Sequence, residues 1–188
     1  SDVYKRQDYE ISEDAKKELE VTNNLLEGIM ESDQVWLVNE AEDLPESSGA
    51  YMKIISRENI SYFKGNDEIE TNAETFTLDA GQIKLIFLPD SVFIKKGSKM
   101  SALSFNEMEI DLGKMMFLED EKPPADATVL GKTYEHTNKD GSPDKRYKEN
   151  PQINLVEYGY LSLKKTPGFD IFIAVSYTHL TLPTILLV

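Results

Sequence analysis

Residues 82–97, QIKLIFLPDSVFIKKG, are the stretch that decides the fold. Apolar side chains occupy both alternating positions of its first half, and successive side chains of a strand point to opposite faces. A strand that is apolar on both faces is typical of the centre of a sheet. Pro89 and Asp90 then favour a turn, because proline fixes φ and aspartate hydrogen-bonds nearby backbone groups. We therefore predict two buried strands joined by a tight turn, with the rest of the chain layered around them.

Short apolar runs separated by turn residues continue on both sides of this hairpin. Runs at this spacing are typical of an antiparallel sandwich or a partly open barrel. In the long run at residues 101–112, the apolar side chains change faces at Asn106 and Glu107, which predicts a bulge. The predicted fold class is therefore α+β, mainly antiparallel β, with one N-terminal helix.

The N-terminal helix is predicted from an apolar stripe that follows Ser12, a residue well suited to cap a helix. The stripe recurs at spacings of three and four residues and consists of Ala15, Leu19, Thr22, Leu26 and Ile29. We expect the helix to end near Glu31 and to pack on the sheet. The alternative is the end of an upstream coiled coil, for which the run offers barely two heptads.

The two ends of the chain have a common explanation at the level of DNA. Residues 1–7 can be encoded by TCA GAT GTG TAT AAG AGA CAG, and the reverse complement of that word, read in a shifted frame, encodes residues 175–180. The shared word resembles the transposase-end adapter that is used to fragment DNA for sequencing. Segments of this kind have to be set aside before a fold is argued.

This interpretation divides the chain into four parts. Residues 1–7 and 175–188 are predicted to be adapter read-through, residues 8–33 to hold the N-terminal helix, and residues 34–174 to form one β-rich domain truncated at its C-terminus. We expect the natural gene to continue on both sides, so that this domain is one module of a longer protein. His179 is excluded from any mechanism on the same grounds.

The composition excludes several classes of site. The 188 residues carry a net charge of −14. Removing residues 1–7 makes the remainder one unit more negative. Such acidity argues against general binding to nucleic acids or anionic membranes, which takes a basic surface. No cysteine is present, so disulfides and thiolate zinc sites cannot form within the chain. A reducing compartment is compatible with this composition, and we expect a cytoplasmic location.

One polar stretch is a candidate for binding. Residues 135–151, EHTNKDGSPDKRYKENP, lie between two apolar strands and hold the only dense basic cluster that the sequence shows. Loops carry binding residues more often than cores do. The candidate partner-binding residues are Lys139, Asp140, Asp144, Lys145, Arg146, Tyr147 and Lys148. The cluster could hold a phosphate or an acidic partner, and the alternative is a solvated hairpin tip without a role.

The same stretch does not match a calcium-binding loop. Asn138, Asp140 and Gly141 fit the middle of such a loop, but its first and twelfth positions are His136 and Tyr147. Acidic ligands are needed there. No other catalytic or metal-binding constellation stands out in the sequence, and we predict no metal site, no cofactor and no catalytic residue.

An enzymatic alternative is a metal-dependent nuclease that uses Asp90, Asp120 and Lys122. Such nucleases pair a Pro-Asp with a later acid-x-Lys, and residues 120–122 have suitable spacing. Magnesium needs only one or two carboxylates besides the substrate phosphates, so the composition does not exclude it. Because Lys122 abuts two prolines in a charged loop, we favour the turn interpretation of Pro89 and Asp90.

Two segments, residues 81–105 and 128–163, resemble a bacterial domain family of uncharacterised function. Its members share a YFLPD hairpin, a Y-V-N-K-x-G-G-P-D-R-R-F loop and a YGxLxL strand. In this chain Ser142 replaces the second glycine of the loop, Lys145 an arginine and Tyr147 the phenylalanine. The resemblance covers most of residues 32–174, and the loop is its most specific part.

The resemblance implies a bacterial source and a module that accompanies other domains, and it brings no activity with it. Its strand order is also similar to that of the bacterial pleckstrin-homology-like barrel, which binds lipids or protein partners. This likeness is an analogy of fold. We therefore predict a non-catalytic interaction module whose partner, an unknown protein or a phosphorylated or acidic ligand, contacts residues 135–151.

Overall fold

A computed structural model describes residues 6–7, 26–44 and 52–178. A short helix, α1, covers residues 26–30, and the rest is mainly strand. The strands are β1 (Arg6–Gln7), β2 (Val35–Asp43), β3 (Met52–Asn59), β4 (Ser61–Lys64), β5 (Glu70–Thr71), β6 (Phe76–Asp79), β7 (Ile83–Phe87), β8 (Ser91–Lys96), β9 (Lys99–Ser104), β10 (Glu109–Glu119), β11 (Thr128–Tyr134), β12 (Gln152–Lys165) and β13 (Phe169–Val175).

The predicted hairpin lies at the centre of a five-stranded antiparallel sheet with the order β4-β6-β7-β8-β9. Strands β7 and β8 pair along their length, and the Leu88 N–H donates to the Ser91 carbonyl across the turn at 2.9 Å. Leu85 and Phe87 face the main hydrophobic core, whereas Ile86 faces a smaller cluster on the other side. The prediction of two buried strands joined by a tight turn is confirmed.

The second sheet closes on itself. Its order is β10-β3-β2-β13-β12-β11, and β10 also pairs with β12, so β10, β3, β2, β13 and β12 follow one another around a ring. All these pairings are antiparallel except that of β3 with β10. Strand β11 lies outside the ring and pairs with β12 alone among the described strands. The predicted class, mainly antiparallel β with one N-terminal helix, is confirmed.

The chain passes between the two sheets at two bends. Strands β3 and β4 are separated only by Ile60, whose N–H donates to the Val35 carbonyl at 2.9 Å. Strands β9 and β10 are separated by a 3₁₀ turn, Phe105–Glu107, in which the Glu107 carboxylate accepts the Ser104 N–H at 2.9 Å. The predicted bulge in residues 101–112 is therefore wrong, because this turn ends one strand and starts another in the other sheet.

The main core fills the space between the sheets and receives the end of the N-terminal helix. Leu26 and Ile29 of α1 pack into it, as the helix prediction expects. The remainder of the predicted helical stripe, at residues 12–25, lies outside the described residues. In the described part of the chain, no helix is long and apolar enough to cross a bilayer.

Both ends of the described chain take part in the sheets. Val175 is buried in β13 opposite Val35, and the Ser176 N–H donates to the Gln34 carbonyl at 3.0 Å. Strand β1 pairs in parallel with β5. The adapter interpretation of residues 1–7 and 175–188 concerns the origin of the DNA, so it stays a prediction. His179 lies outside the described residues.

A separate cluster occupies the inside of the ring. Trp36, Phe117, Val156, Tyr158 and Ala174 come from four of its strands and pack together on the face opposite the main core. The Trp36 and Tyr158 rings lie 5.1 Å apart, and the Phe117 and Tyr158 rings 5.6 Å apart. Aromatic pairs at these distances stabilise a core beyond the area that they bury.

The shortest joint of the ring is the one between β3 and β10, which we call the ring seam. Backbone pairing there covers only Met52–Lys53 and Phe117–Leu118. An ion pair continues the joint beyond the backbone pairing: Arg57 of β3 donates to both carboxylate oxygens of Glu119 of β10, at 2.6 and 3.0 Å. Side chains thus extend the seam beyond its short ladder.

The ion pair at the ring seam joins a buried carboxylate to a partly buried guanidinium, whose side chain is 15% exposed. The Glu119 side chain is 3% exposed and also accepts a hydrogen bond from the Tyr158 hydroxyl at 2.7 Å. The Arg57 guanidinium lies 4.4 Å above the Trp36 ring. Burial, together with the hydrogen bond to Glu119, raises the pKa of Tyr158. A buried pair with these partners costs much more to break than an exposed one.

We expect Glu119→Gln to lower the free energy of unfolding by about 3 kcal/mol, because Arg57 then stays largely buried without its main charge partner. Glu121→Gln is the matched control, since Glu121 also binds Arg57, at 2.9 Å, but its side chain is 74% exposed. Its effect should stay below about 1 kcal/mol. Urea unfolding followed by circular dichroism measures both variants. Equal losses would show that the buried pair does not hold the ring seam.

Candidate functional site

The stretch predicted to bind a partner, residues 135–151, is the connection from β11 to β12, and we call it the β11–β12 loop. It folds onto itself through its own hydrogen bonds. The Asn138 N–H donates to the Ser142 carbonyl at 2.8 Å, and the Asp144 N–H donates to the His136 carbonyl at 3.1 Å. The Asn150 side chain binds both the N–H and the carbonyl of His136, at 2.8 and 2.7 Å. The loop therefore has a fixed shape before any partner arrives.

An aromatic stack joins the two sides of the β11–β12 loop. The His136 and Tyr147 rings lie 3.6 Å apart between centroids with an angle of 10° between their planes. Tyr147 is nevertheless exposed, so a flat aromatic surface borders the basic residues. The stack adds a contact between residues 136 and 147 that the hydrogen bonds alone do not supply.

Two of the seven predicted residues neutralise each other. Asp144 is buried and accepts the Arg146 N–H at 3.0 Å and guanidinium bonds at 3.0, 3.1 and 2.7 Å. Hydrogen bonds from the Arg146 side chain and backbone lower the pKa of Asp144 to about 2. Asp144 therefore shapes the loop and is not itself exposed to a ligand.

Of the other predicted residues, Asp140 binds within the loop and three are exposed lysines. Asp140 accepts hydrogen bonds from the Ser142 hydroxyl and N–H, and these lower the pKa of Asp140. Lys139, Lys145 and Lys148 are exposed and make no hydrogen bond or ion pair with the described residues. Within the described ranges, nothing occupies these three ammonium groups.

The base of the β11–β12 loop is tied to the ring seam. Lys53, which belongs to the seam, donates to the Glu135 carboxylate at 2.6 Å. This hydrogen bond lowers the pKa of Glu135. The loop is thus anchored at its first residue to β3, a strand to which it is not adjacent in sequence.

The residues of the nuclease alternative lie at opposite ends of β10. The Asp90 carbonyl accepts the Phe105 N–H at 3.0 Å, beside the start of β10, whereas Asp120 and Lys122 follow its end. Strand β10 spans 11 residues. At about 3.4 Å per residue, this is roughly 34 Å of extended chain. Within the described ranges, no three His, Cys, Asp or Glu side chains form a group that could hold a metal ion.

The structure also shows a lysine cluster that the sequence interpretation did not single out. Lys84 and Lys95 both contact the Glu68 carboxylate, at 3.1 and 2.8 Å, and Lys84 also contacts Asp67 at 3.1 Å, so two carboxylates neutralise the two ammonium groups. Lys96 and Lys99 are exposed at the turn from β8 to β9. The sequence signal is the presence of three lysines within residues 95–99, of which Lys95 contacts Glu68, 27 residues away in the chain. Lys84 and Lys95 are therefore less available to an anion than the lysines of the β11–β12 loop, whereas Lys96 and Lys99 are exposed as those lysines are.

Comparisons with family models, with curated proteins and with solved structures find no match for this chain. The resemblance to a bacterial domain family therefore stays a prediction, and function has to be argued from the geometry of the β11–β12 loop.

Asp144 contributes one part of the pH dependence of the loop, beside Glu135 and Asp140. Its folded pKa of about 2 lies below the ordinary value of 3.8. The carboxylate therefore stabilises the loop fully above about pH 4, and this contribution is lost as the pH falls through the folded pKa. Carbon-detected NMR of the side-chain carboxyl should give a titration midpoint near pH 2.

Arg146→Gln should raise that midpoint toward the ordinary value of 3.8, because the guanidinium hydrogen bonds are lost. Lys145→Gln removes a neighbouring charge that has no bond to Asp144 and should leave the midpoint in place. The assignment fails if the two variants shift the titration equally.

Proposed function

We propose that this chain is a non-catalytic interaction module that binds an acidic or phosphorylated partner through the β11–β12 loop. The observation that carries the proposal is the fixed shape of this loop, which presents Lys139, Lys145 and Lys148 without ion pairs to the described residues. The proposal includes a bacterial, cytoplasmic protein in which this module accompanies other domains. The predicted similarity to pleckstrin-homology-like modules supports a binding role by analogy of fold.

A fixed loop favours binding because less conformational entropy is lost when the partner arrives. Ordering the backbone of one residue costs about 1–2 kcal/mol. The hydrogen bonds at His136, Asn138 and Asp144 already order the backbone in the free protein. A rigid binding surface converts more of its contacts into affinity than a mobile one does.

Arg146 can bind a ligand while it holds Asp144. The bonds to Asp144 use Nε and Nη2 of the guanidinium, and the side chain is otherwise largely exposed. The two N–H donors on Nη1 remain for a carboxylate or phosphate oxygen. Together with the three lysines, they form a site with several donors for an anionic group.

The net negative charge of the chain does not prevent this contact. At physiological ionic strength, charges more than about 8 Å apart are largely screened from one another in solvent. An acidic group at the loop therefore responds mainly to the nearby lysines. The acidic remainder of the surface instead disfavours binding of polyanions over larger areas.

The test is a titration of the ¹⁵N-labelled protein with decaglutamate and, separately, with inorganic phosphate, followed by NMR. We expect chemical-shift changes centred on residues 139–148. Lys145→Glu combined with Lys148→Glu should weaken decaglutamate binding about tenfold, which corresponds to about 1.4 kcal/mol. Response to phosphate as well as decaglutamate indicates a site for phosphorylated partners, whereas response to decaglutamate alone indicates a carboxylate-rich partner.

The matched control is Lys96→Glu combined with Lys99→Glu, which makes the same change of charge on the exposed turn between β8 and β9. It should leave the affinity within about twofold, since screening isolates distant surface charges. If both double variants weaken binding equally, the effect comes from net charge and the loop is not the site.

A further inference from the structure

Among the described strands, none pairs with the outer edge of β11, which we call its open edge. Strand β11 is the last strand of its sheet, and among the described strands only β12 pairs with it. Its first five residues are exposed, and Val129 and Leu130 are 51% and 47% exposed. An edge that combines free backbone groups with apolar side chains can accept another strand.

The register shows which backbone groups face outward. The Glu135 N–H donates to the Pro151 carbonyl at 3.1 Å, so this is a hydrogen-bonded pair. Hydrogen-bonded and non-hydrogen-bonded pairs alternate along an antiparallel ladder. Thr133 therefore also bonds to β12, whereas the N–H and carbonyl groups of Lys132 and Tyr134 point toward the open edge.

The apolar residues lie at a bulge at the start of the same strand. Its register with β12 shifts between Val129 and Gly131, so Leu130 is the extra residue on β11. A bulge bends a strand and re-aims its side chains. Val129 and Leu130 thus offer an apolar contact to a segment that pairs along residues 132–134.

Positive charge continues from this edge into the β11–β12 loop. Lys132 is exposed on the strand, and Lys139, Lys145 and Lys148 follow in the loop of the same hairpin. None of the four makes an ion pair with the described residues. A second copy of this chain would bring a net charge of −14 together with another Lys132 against this edge. A short acidic segment instead meets four lysines, while the exposed acids of the same hairpin are Asp140 and Glu149.

We propose that the open edge of β11 accepts an extended acidic peptide of a partner protein as an added strand. The peptide backbone pairs with Lys132 and Tyr134, an apolar side chain contacts Val129 and Leu130, and acidic side chains reach Lys132 and the lysines of the loop. Backbone pairing supplies affinity and side-chain contacts supply selectivity in this mode of recognition. The inference rests on the proposed function and specifies its partner.

The probe is a fluorescein-labelled eight-residue peptide of alternating glutamate and valine, titrated with the protein by fluorescence anisotropy. The informative variant is Lys132→Pro, because proline is tolerated on an edge strand where the N–H faces solvent. It removes one outward donor and one charge, whereas Lys132→Ala removes only the charge. We expect Lys132→Pro to weaken binding about tenfold more than Lys132→Ala. Circular dichroism and thermal melting establish that both variants are folded.

Amide hydrogen exchange gives a second measurement that needs no variant. The N–H groups of Lys132 and Tyr134 should exchange quickly in the free protein and at least about tenfold more slowly with bound peptide, since strand pairing protects amides. The Thr133 N–H already bonds to β12 and serves as the internal reference.

The outcomes separate this inference from the proposed function. If Lys145→Glu with Lys148→Glu weakens peptide binding but Lys132→Pro behaves like Lys132→Ala and exchange is unchanged, the loop binds anions and the edge is not used. If the peptide does not bind, or if β11 edges instead pair between two copies of this chain in sedimentation experiments, the inference is overturned. In either case the decaglutamate titration tests the proposed function independently of this inference.

Discussion

The ion pair between Arg57 and Glu119 is the interaction on which the ring depends. It lies at the ring seam, where two pairs of residues are the whole backbone ladder, whereas β10 and β12 pair over 11 positions. Glu119 is buried and Arg57 partly buried, and Tyr158 and Trp36 contact the pair. Low dielectric strengthens the attraction, and the surrounding hydrogen bonds offset the cost of removing both charges from water. Side chains thus close a ring that its backbone joins only briefly.

Closure of the ring determines what remains outside it. Because β3, β2 and β13 are used in the ring, β11 is left with β12 as its neighbour, and the β11–β12 loop projects from a supported hairpin. The bond from Lys53 to Glu135 connects the ring seam to the base of that loop at 2.6 Å. Rigid support of this kind lets a loop hold charges in fixed positions, which is what a specific binding surface requires.

Local patterns in the sequence predicted the parts of the fold that local chemistry determines. The apolar alternation of residues 83–88 correctly predicts a central strand with two buried faces, and the polar run at 135–151 correctly predicts a connection between strands. At residues 105–107 the sequence pattern predicts a bulge, whereas the structure has a 3₁₀ turn. A bulge and a turn both change the face of the sheet to which the following apolar side chains point. The two differ in that the chain leaves one sheet and enters the other at the turn, and this change of sheet is determined by tertiary packing.

Long-range contacts could not be predicted from the sequence. Arg57 and Glu119 are 62 residues apart, and no local pattern marks either of them as buried. By contrast, Asp144 and Arg146 are two residues apart, so their mutual neutralisation could have been inferred from the tendency of aspartate to bind the backbone two residues on. The entropy cost of closing a loop grows with its length. Contacts between distant residues consequently form late when a chain folds. We expect the sheet around β7 and β8, built from hairpins, to form first and the ring seam last, an order that pulse-labelled hydrogen exchange during refolding would reveal.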